Sequence, residues 1–569
     1  MKRIPYGISD YKTLIEKNYV FVDKTKYIEK LENYPAPYIF FLRPRRFGKS
    51  LFTSMLSAYF DISQRDNFER LFRDTYIAQN PTKERNGYYI LNFNFSSLNT
   101  DTKESLKESF LKNIRESFDR FIKNYNLNVE YRKDYDDAAS MLNNFFTTVK
   151  YGIDKPIYVI IDEYDHFANE LLSFQPELFK DSISKTGFVR KFYEALKIGT
   201  EKVVGRIFAT GVSPITLDSM TSGFNIADDL TRHVNFNEMM GFTEQEVRGL
   251  IKTTFNEAMS FEETGELMEI LKKNYNGYLF SEDATTRLFN SDMILYYLKA
   301  FIETGKGPTN LIDKNIASDY SKVGNLFKLQ NQSNNMEVLK DIVSGKEVFS
   351  RITEEFSLEK RYNKDDFRSL LFYLGMLTIK KQVMGRVILK VPNEAIKGLY
   401  YDFFVSSLNE LTEYSLDTAD IENSIFDIAL NGDNSSFVST IERTLNKLSN
   451  RDFIAFDEKY IKIIMIAYLN LAKAYLIKSE YEVEDGYIDI ALLNNHIIKP
   501  KYYGIIELKY IAKKEYDKHG EALVNRRKEE AIVQINKYKN SEELLNYKNL
   551  KKWVLVFVCD KCVVNLEME

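Results

Sequence analysis

The chain has 569 residues, enough for several hydrophobic cores, so about three domains are expected. A formal net charge of −4 excludes a global field that would gather nucleic acid, so any such contact rests on local patches. Two cysteines and four histidines exclude a disulfide scaffold and several zinc sites and fit a reducing, cytoplasmic setting.

The N-terminus, MKRIPYGISDYKTLIEK, lacks the apolar run of a signal peptide. Between Pro37 and Phe242, apolar runs alternate with helical stretches. PYIFFLR, YYILNFNF, IYVIIDEYD and RIFATGVSPI read as buried parallel strands and predict an α/β sandwich. From about Gly241 to about Tyr400 the pattern turns helical, ending in FRSLLFYLGMLTIKKQ and RVILKVPNEAI, a helix and hairpin read as a winged-helix-like unit. After about Tyr400 come a helical stretch and a helix from Asp457, whose apolar run Ile461 to Ile477 is too interrupted by Lys462, Asn470 and Lys473 to span a membrane. Strands at GYIDIALL and YYGIIELKYI, a helix around Ala531 and a closing strand WVLVFVC then predict a second, smaller α/β domain. The expected boundaries are 1–240, 241–400 and 401–569.

In PYIFFLRPRRFGKSLF, Gly48-Lys49-Ser50 follows an apolar strand and opens a helix, the context of a phosphate-binding loop. Backbone N–H groups of Arg46, Phe47, Gly48 and Leu51 would face phosphate oxygens, Lys49 would neutralise them, and the Ser50 hydroxyl would ligate magnesium. Arg43 stands where the motif asks for its first glycine, so the first tight turn must form differently; a basic surface turn is the competing reading. IYVIIDEYD delivers Asp162 and Glu163 to the crevice at a strand's carboxyl end. Asp162 would hold magnesium through water and Glu163 would polarise the water attacking the γ-phosphate. Thr210, ending the next strand, reads equally as a hydroxyl near that phosphate or as a routine strand residue. Arg232 reads as a phosphate sensor toward a neighbouring subunit, leaving a homo-oligomer open, or as an exposed arginine.

A second constellation pairs Asp489 in YIDIAL with Glu507, Leu508 and Lys509 in IIELKY. Glu507 and Lys509 share one face of their strand while Leu508 packs on the other, and a hairpin would bring Asp489 beside them. Two carboxylates and the Leu508 carbonyl would make a hard-oxygen site for magnesium, manganese being acceptable, and Lys509 would position or deprotonate the attacking water. Gln534 and Tyr538, four residues apart on the following helix, would line its mouth. Glu458 would add a third carboxylate, or else complement its own helix dipole.

The ordered set RPRRFGKSL, IIDEYD, ATGVSPI, MGFTEQEV, NYNGY, YIDIAL, IIELKY and VQINKY resembles bacterial AAA-ATPase-like proteins with a C-terminal PD-(D/E)XK nuclease superfamily domain. The resemblance implies an ASCE-type ATPase core, a helical lid and a restriction-endonuclease-like core. It also implies ATP and magnesium at Lys49, Ser50, Asp162 and Glu163, and nuclease-type metal chemistry on DNA or RNA at Asp489, Glu507, Lys509 and Gln534. Tyr487 departs from the arginine often found before the first nuclease carboxylate. The lone pair Cys559 and Cys562 reads as reduced rather than metal-binding. Lys518, Arg526, Arg527 and Lys528 read as a solvated helix face near the nuclease helix. Tyr275 and Tyr278, flanking Asn276-Gly277, read as packed lid aromatics. A nucleotide-dependent switch that binds nucleic acid without cutting it is the alternative function.

Overall fold

The computed structural model describes the chain except residues 1, 169–170, 172–186, 215–224, 256–258, 315, 318–319, 321–331, 355, 357–362, 413–416, 450–456, 485, 495–497, 539–540 and 569. Ile215, the last residue of the ATGVSPI run, and the end of the VQINKYKN segment lie outside the described residues. The chain divides into two compact units, one of Met1–Asn335 with Val348–Ala395, the other of Met336–Glu347 with Ile396–Glu569. No helix among the described residues is long and apolar enough to cross a membrane.

The first unit is built on a parallel sheet of β1 (Tyr38–Leu42), β2 (Tyr89–Asn94), β3 (Ile157–Asp162), β4 (Val204–Gly211) and β5 (Asp228–Asp229) in the order β2-β3-β4-β1-β5. All of β3 and nearly all of β1 and β4 are buried. Strands covered on both faces read as unbroken apolar runs, which is why these showed in the sequence. β4 lies between β1, which leads into the loop 43–48, and β3, which ends in acids. β5, two aspartates at the edge, carries no apolar pattern. Helices α1 (Lys49–Phe60), α2 (Lys103–Asn124), α3 (Ala138–Val149) and α4 (Phe188–Thr200) cover the sheet. Much of the aromatic content lies here: the Phe118 and Phe145 rings stack at 3.7 Å, and Phe192 meets Phe93, Phe95 and Phe110 edge-on.

The rest of this unit includes α5 (Glu244–Phe255), α6 (Phe261–Tyr275), α7 (Ser291–Thr304) and α8 (Lys364–Tyr373). A small antiparallel sheet of β6 (Val348–Ser350), β7 (Thr378–Val383) and β8 (Arg386–Lys390) has the order β6-β8-β7. Met384 and Gly385, both at positive φ, close the β7–β8 hairpin, as a right-twisted two-residue turn requires.

In the second unit α9 (Glu458–Leu471) is capped by Asp457, whose side chain accepts from Tyr460 N–H. It is buried from Tyr460 through Leu469, a helix covered nearly all round. It packs on a mixed sheet of β9 (Leu476–Val483), β10 (Gly486–Leu493), β11 (Tyr503–Ile511), β12 (Leu550–Val558) and β13 (Lys561–Met568), in the order β13-β12-β11-β10-β9. β11 and β12 run parallel, and the other neighbours antiparallel. The parallel pair is joined through α10 (Lys513–Lys537), which breaks at Gly520 (φ 52°). Strands β9 and β13 were not among those expected: their half-exposed, mixed-polarity sequences show little of the apolar run that marks β10, β11 and β12.

Candidate active sites

Strand β1 hands the chain to the loop 43–48, and α1 starts at Lys49 with Gly48 as its cap at φ 90°. Arg46, at φ 69°, is also left-handed. Lys49 is 4% exposed and its ammonium donates to the carbonyls of Arg43 (3.1 Å) and Pro44 (3.2 Å), curling the loop around it. From outside, the Asn290 amide donates to the Arg45 carbonyl, the Ser291 hydroxyl and Asp292 N–H to that of Arg46, and Gly241 N–H to that of Phe47. The Phe47 ring turns away, edge-on to Tyr278 at 4.9 Å and Phe280 at 5.3 Å.

Arg43 fills the place of the glycine, and its role was missed in the sequence. It is 1% exposed, its guanidinium lies between the Phe41 and Phe280 rings (4.1 and 4.2 Å), and it donates to the carbonyls of Leu42, Thr231, Phe236 and Asn237. Burial pushes its pKa down to about 9, against the pull of Asp229, so it remains charged at neutral pH. A buried post therefore shapes the turn.

At the end of β3, burial raises the Asp162 pKa against the lowering effect of the nearby Ser50 hydroxyl and Lys49. Glu163 sits in the left-handed region at φ 54°, a strain that the surrounding structure must hold in place. Burial would raise its pKa, but Lys49 and His166, whose Nδ1 lies 3.7 Å away, bring it down to about 2. Asp165, absent from the sequence reading, is fully buried and accepts from Val212 N–H, Ser213 N–H and the Ser213 hydroxyl, locking the end of β4 onto the acidic turn. Thr210 is fully buried and its hydroxyl donates to the Phe41 carbonyl within the sheet. Arg232 is neither exposed nor poised toward a neighbour, being paired with Glu282 and Glu354 of its own unit. A cavity of about 450 Å³ opens over this region, lined among others by Arg45–Leu51, Asn94, Glu163 and His166 and by the apolar Val20, Phe21, Met239, Met240 and Phe242.

In the second unit, the β10–β11 ladder pairs Ile490 with Ile506, and one step further Asp489 falls opposite Glu507. There Asp489 Oδ2 accepts from Leu508 N–H at 2.9 Å. Glu507 is 2% exposed; its Oε1 accepts from Lys509 at 3.0 Å, and its Oε2 has no hydrogen-bond partner. Burial, then Asp489, push the Glu507 pKa up to about 7, against Lys509. Glu458 Oε2 accepts from Tyr510 N–H at 3.3 Å. Burial raises the Glu458 pKa against the pull of Lys509, and Asp489 adds to the rise, so Glu458 stands beside the pair; among the described residues no cluster of three acidic, histidine or cysteine side chains is found that could hold a metal ion. Lys462, one turn after Glu458, was missed: it is 9% exposed and donates to Asp489 Oδ1 at 2.6 Å and to Glu480. A lone lysine in the buried stretch of α9 was its only signal. Gln534 is half-buried on α10, while Tyr538 is a core residue whose hydroxyl ties α10 to the Tyr487 carbonyl. Arg526 and Arg527 pair with Glu530. Cys559 and Cys562 are free thiols at the β12–β13 turn.

Residues 5–221 match the family described as a predicted AAA-ATPase, and residues 456–567 match the PD-(D/E)XK nuclease superfamily. A relative from Azotobacter chroococcum, an uncharacterized protein in the vnfD 5′ region, is 25% identical over 318 residues, covering 55% of this chain and 56% of its own. The chain thus spans little more than half of that relative. Both matches fall on the two sites just described: residues 5–221 are AAA-ATPase-like, and residues 456–567 are a PD-(D/E)XK nuclease superfamily domain.

Proposed function

We propose that the first unit binds and hydrolyses ATP and that the second hydrolyses DNA or RNA phosphodiesters with a divalent cation, the nucleotide state positioning or gating the nuclease. Residues 1–240 would form the ATPase core, 241–400 a helical lid with a winged-helix-like part, and 401–569 the nuclease domain. The observation that carries this reading is Glu507 Oε2, an unpartnered oxygen of a 2% exposed carboxylate facing Asp489 and Lys509. Buried carboxylates demand a cation or a proton, and this one fits a hard cation.

For the nucleotide, the backbone N–H groups of Arg46 to Leu51 and the Lys49 ammonium would take the phosphates, with the ammonium leaving the Arg43 and Pro44 carbonyls to do so. Ser50 and Asp162 would hold magnesium. Glu163, kept ionised by Lys49 and His166, accepts a hydrogen bond from the water that attacks the γ-phosphorus and orients it. At the nuclease site Asp489, Glu507 and the Leu508 carbonyl would hold magnesium or manganese, with Gln534 at the mouth. A bound cation there supplies Lewis-acid polarisation of the phosphate and a more acidic water. Lys509, held at Glu507, places its positive charge where the phosphorane develops negative charge.

The test has two arms. ATP titration should bind wild type and fail for Lys49→Ala; equal affinity would defeat the nucleotide claim. Labelled DNA and RNA in magnesium or manganese should be cut by wild type and at least about 100-fold more slowly by Lys509→Ala, as for loss of a group acting on the transition state. Binding of nucleic acid by wild type without any cleavage would instead favour the switch.

A further inference from the structure

Asp489 stands in a row of three acids. The pairs Ile488–Tyr481 and Ile490–Ser479 bracket it opposite Glu480 on β9, and the Ile490–Ile506 pair sets it opposite Glu507 on β11. Of the four carboxylate oxygens of Asp489 and Glu507, three are taken up: Asp489 Oδ1 by Lys462, Oδ2 by Leu508 N–H, and Glu507 Oε1 by Lys509. The Lys462 ammonium has a second partner in Glu480, a residue 59% exposed at its side chain.

We propose that Lys462 is an internal counter-ion standing in the cation's place at Asp489, and that a divalent cation enters as this ammonium moves wholly onto Glu480. The inference rests on the reading of Asp489 and Glu507 as a cation site. An ammonium and a divalent cation on one carboxylate oxygen repel each other, the more so in a buried setting. Lysine suits the exchange: its charge is compact and its stem flexible, and Glu480 keeps it paired after it leaves. Without Lys462 and without metal, Asp489 and Glu507 would face each other as buried carboxylates. The device keeps Asp489 paired until a cation arrives.

Calorimetric titration of the full chain with Mn²⁺, with no nucleic acid present, tests it. Lys462→Met should bind Mn²⁺ roughly tenfold tighter than wild type, opposite in sign to the loss seen when an ordinary orienting partner of a metal ligand is removed. Glu480→Gln, which takes away the ammonium's refuge at an exposed position, should weaken binding by roughly threefold or more. Asp489→Asn should abolish it. Equal or weaker Mn²⁺ binding by Lys462→Met overturns the proposal; if that variant does not fold, unchanged or tighter binding by Glu480→Gln overturns it. Mn²⁺ binding that ignores Asp489→Asn, or that is absent from wild type and Lys462→Met alike, brings down the cation site itself, a separate failure.

Discussion

Arg43 shows how a side chain can stand in for the freedom of glycine. The turn after β1 is fixed by four carbonyl acceptors and two aromatic faces rather than by an unhindered backbone. Arg43→Ala removes the guanidinium donor from four carbonyls, of which that of Phe236 keeps Met239 N–H, and opens a cavity. It should destabilise the chain by about 3 kcal/mol or more, measured as a lower urea midpoint, and Arg43→Gly should not rescue it. Glu507 makes a second prediction. Its pKa is raised to about 7 by burial and by Asp489, so the metal-free chain holds a proton there below pH 7 and releases it above. A cation needs the ionised form. Mn²⁺ affinity should therefore climb by up to about tenfold per pH unit toward pH 7 and level off beyond it; titrations showing affinity flat or falling from pH 6 to pH 7 would contradict the assignment. Neither residue was fully legible beforehand. Glu507 was picked out by its spacing to Lys509, whereas the duty of Arg43 depends on Thr231, Phe236, Asn237 and Phe280, far along the chain.

Among the elements, strands carrying an apolar run were readable, β2 at a sheet edge among them, and the polar edge strands β5, β9 and β13 were not. β1, β3 and β4 are apolar along nearly their whole length because water reaches neither side. β5 is two acids, and β13 alternates exposed with half-buried residues, so tertiary pairing rather than local pattern makes them strands. Lys462 was likewise opaque, because its partners Glu480 and Asp489 sit 18 and 27 residues away. The junction of β3 and β4 carries its own prediction. A methyl group on Gly211 would stand 2.1 Å from Asp165 Oδ1 and 2.4 Å from the Tyr164 ring. Gly211→Ala should lower stability by about 1–3 kcal/mol and, by displacing the turn that carries Glu163, slow ATP hydrolysis. Chemical denaturation and a turnover assay on the same preparation check both, and a variant as stable and as active as wild type would remove Asp165 from the account.

For the whole chain, the two compact units are not simple halves: the first takes in 348–395 after the second has already claimed 336–347. Local patterns cannot show such an interleaving, because it rests on which surfaces meet and not on any run of residues. Each unit sets carboxylates beside a lysine, Asp162 and Glu163 with Lys49 at the end of β3, and Asp489 and Glu507 with Lys509 within β10 and β11. If these are separate hydrolytic centres, each should fail alone. ATP hydrolysis and phosphodiester cleavage should be followed on matched preparations of wild type, Lys49→Ala and Glu507→Ala in magnesium or manganese. Lys49→Ala should lose ATP hydrolysis, and Glu507→Ala should lose cleavage while still hydrolysing ATP. Wild-type cleavage by Glu507→Ala, or wild-type ATP hydrolysis by Lys49→Ala, would contradict the assignment of that centre.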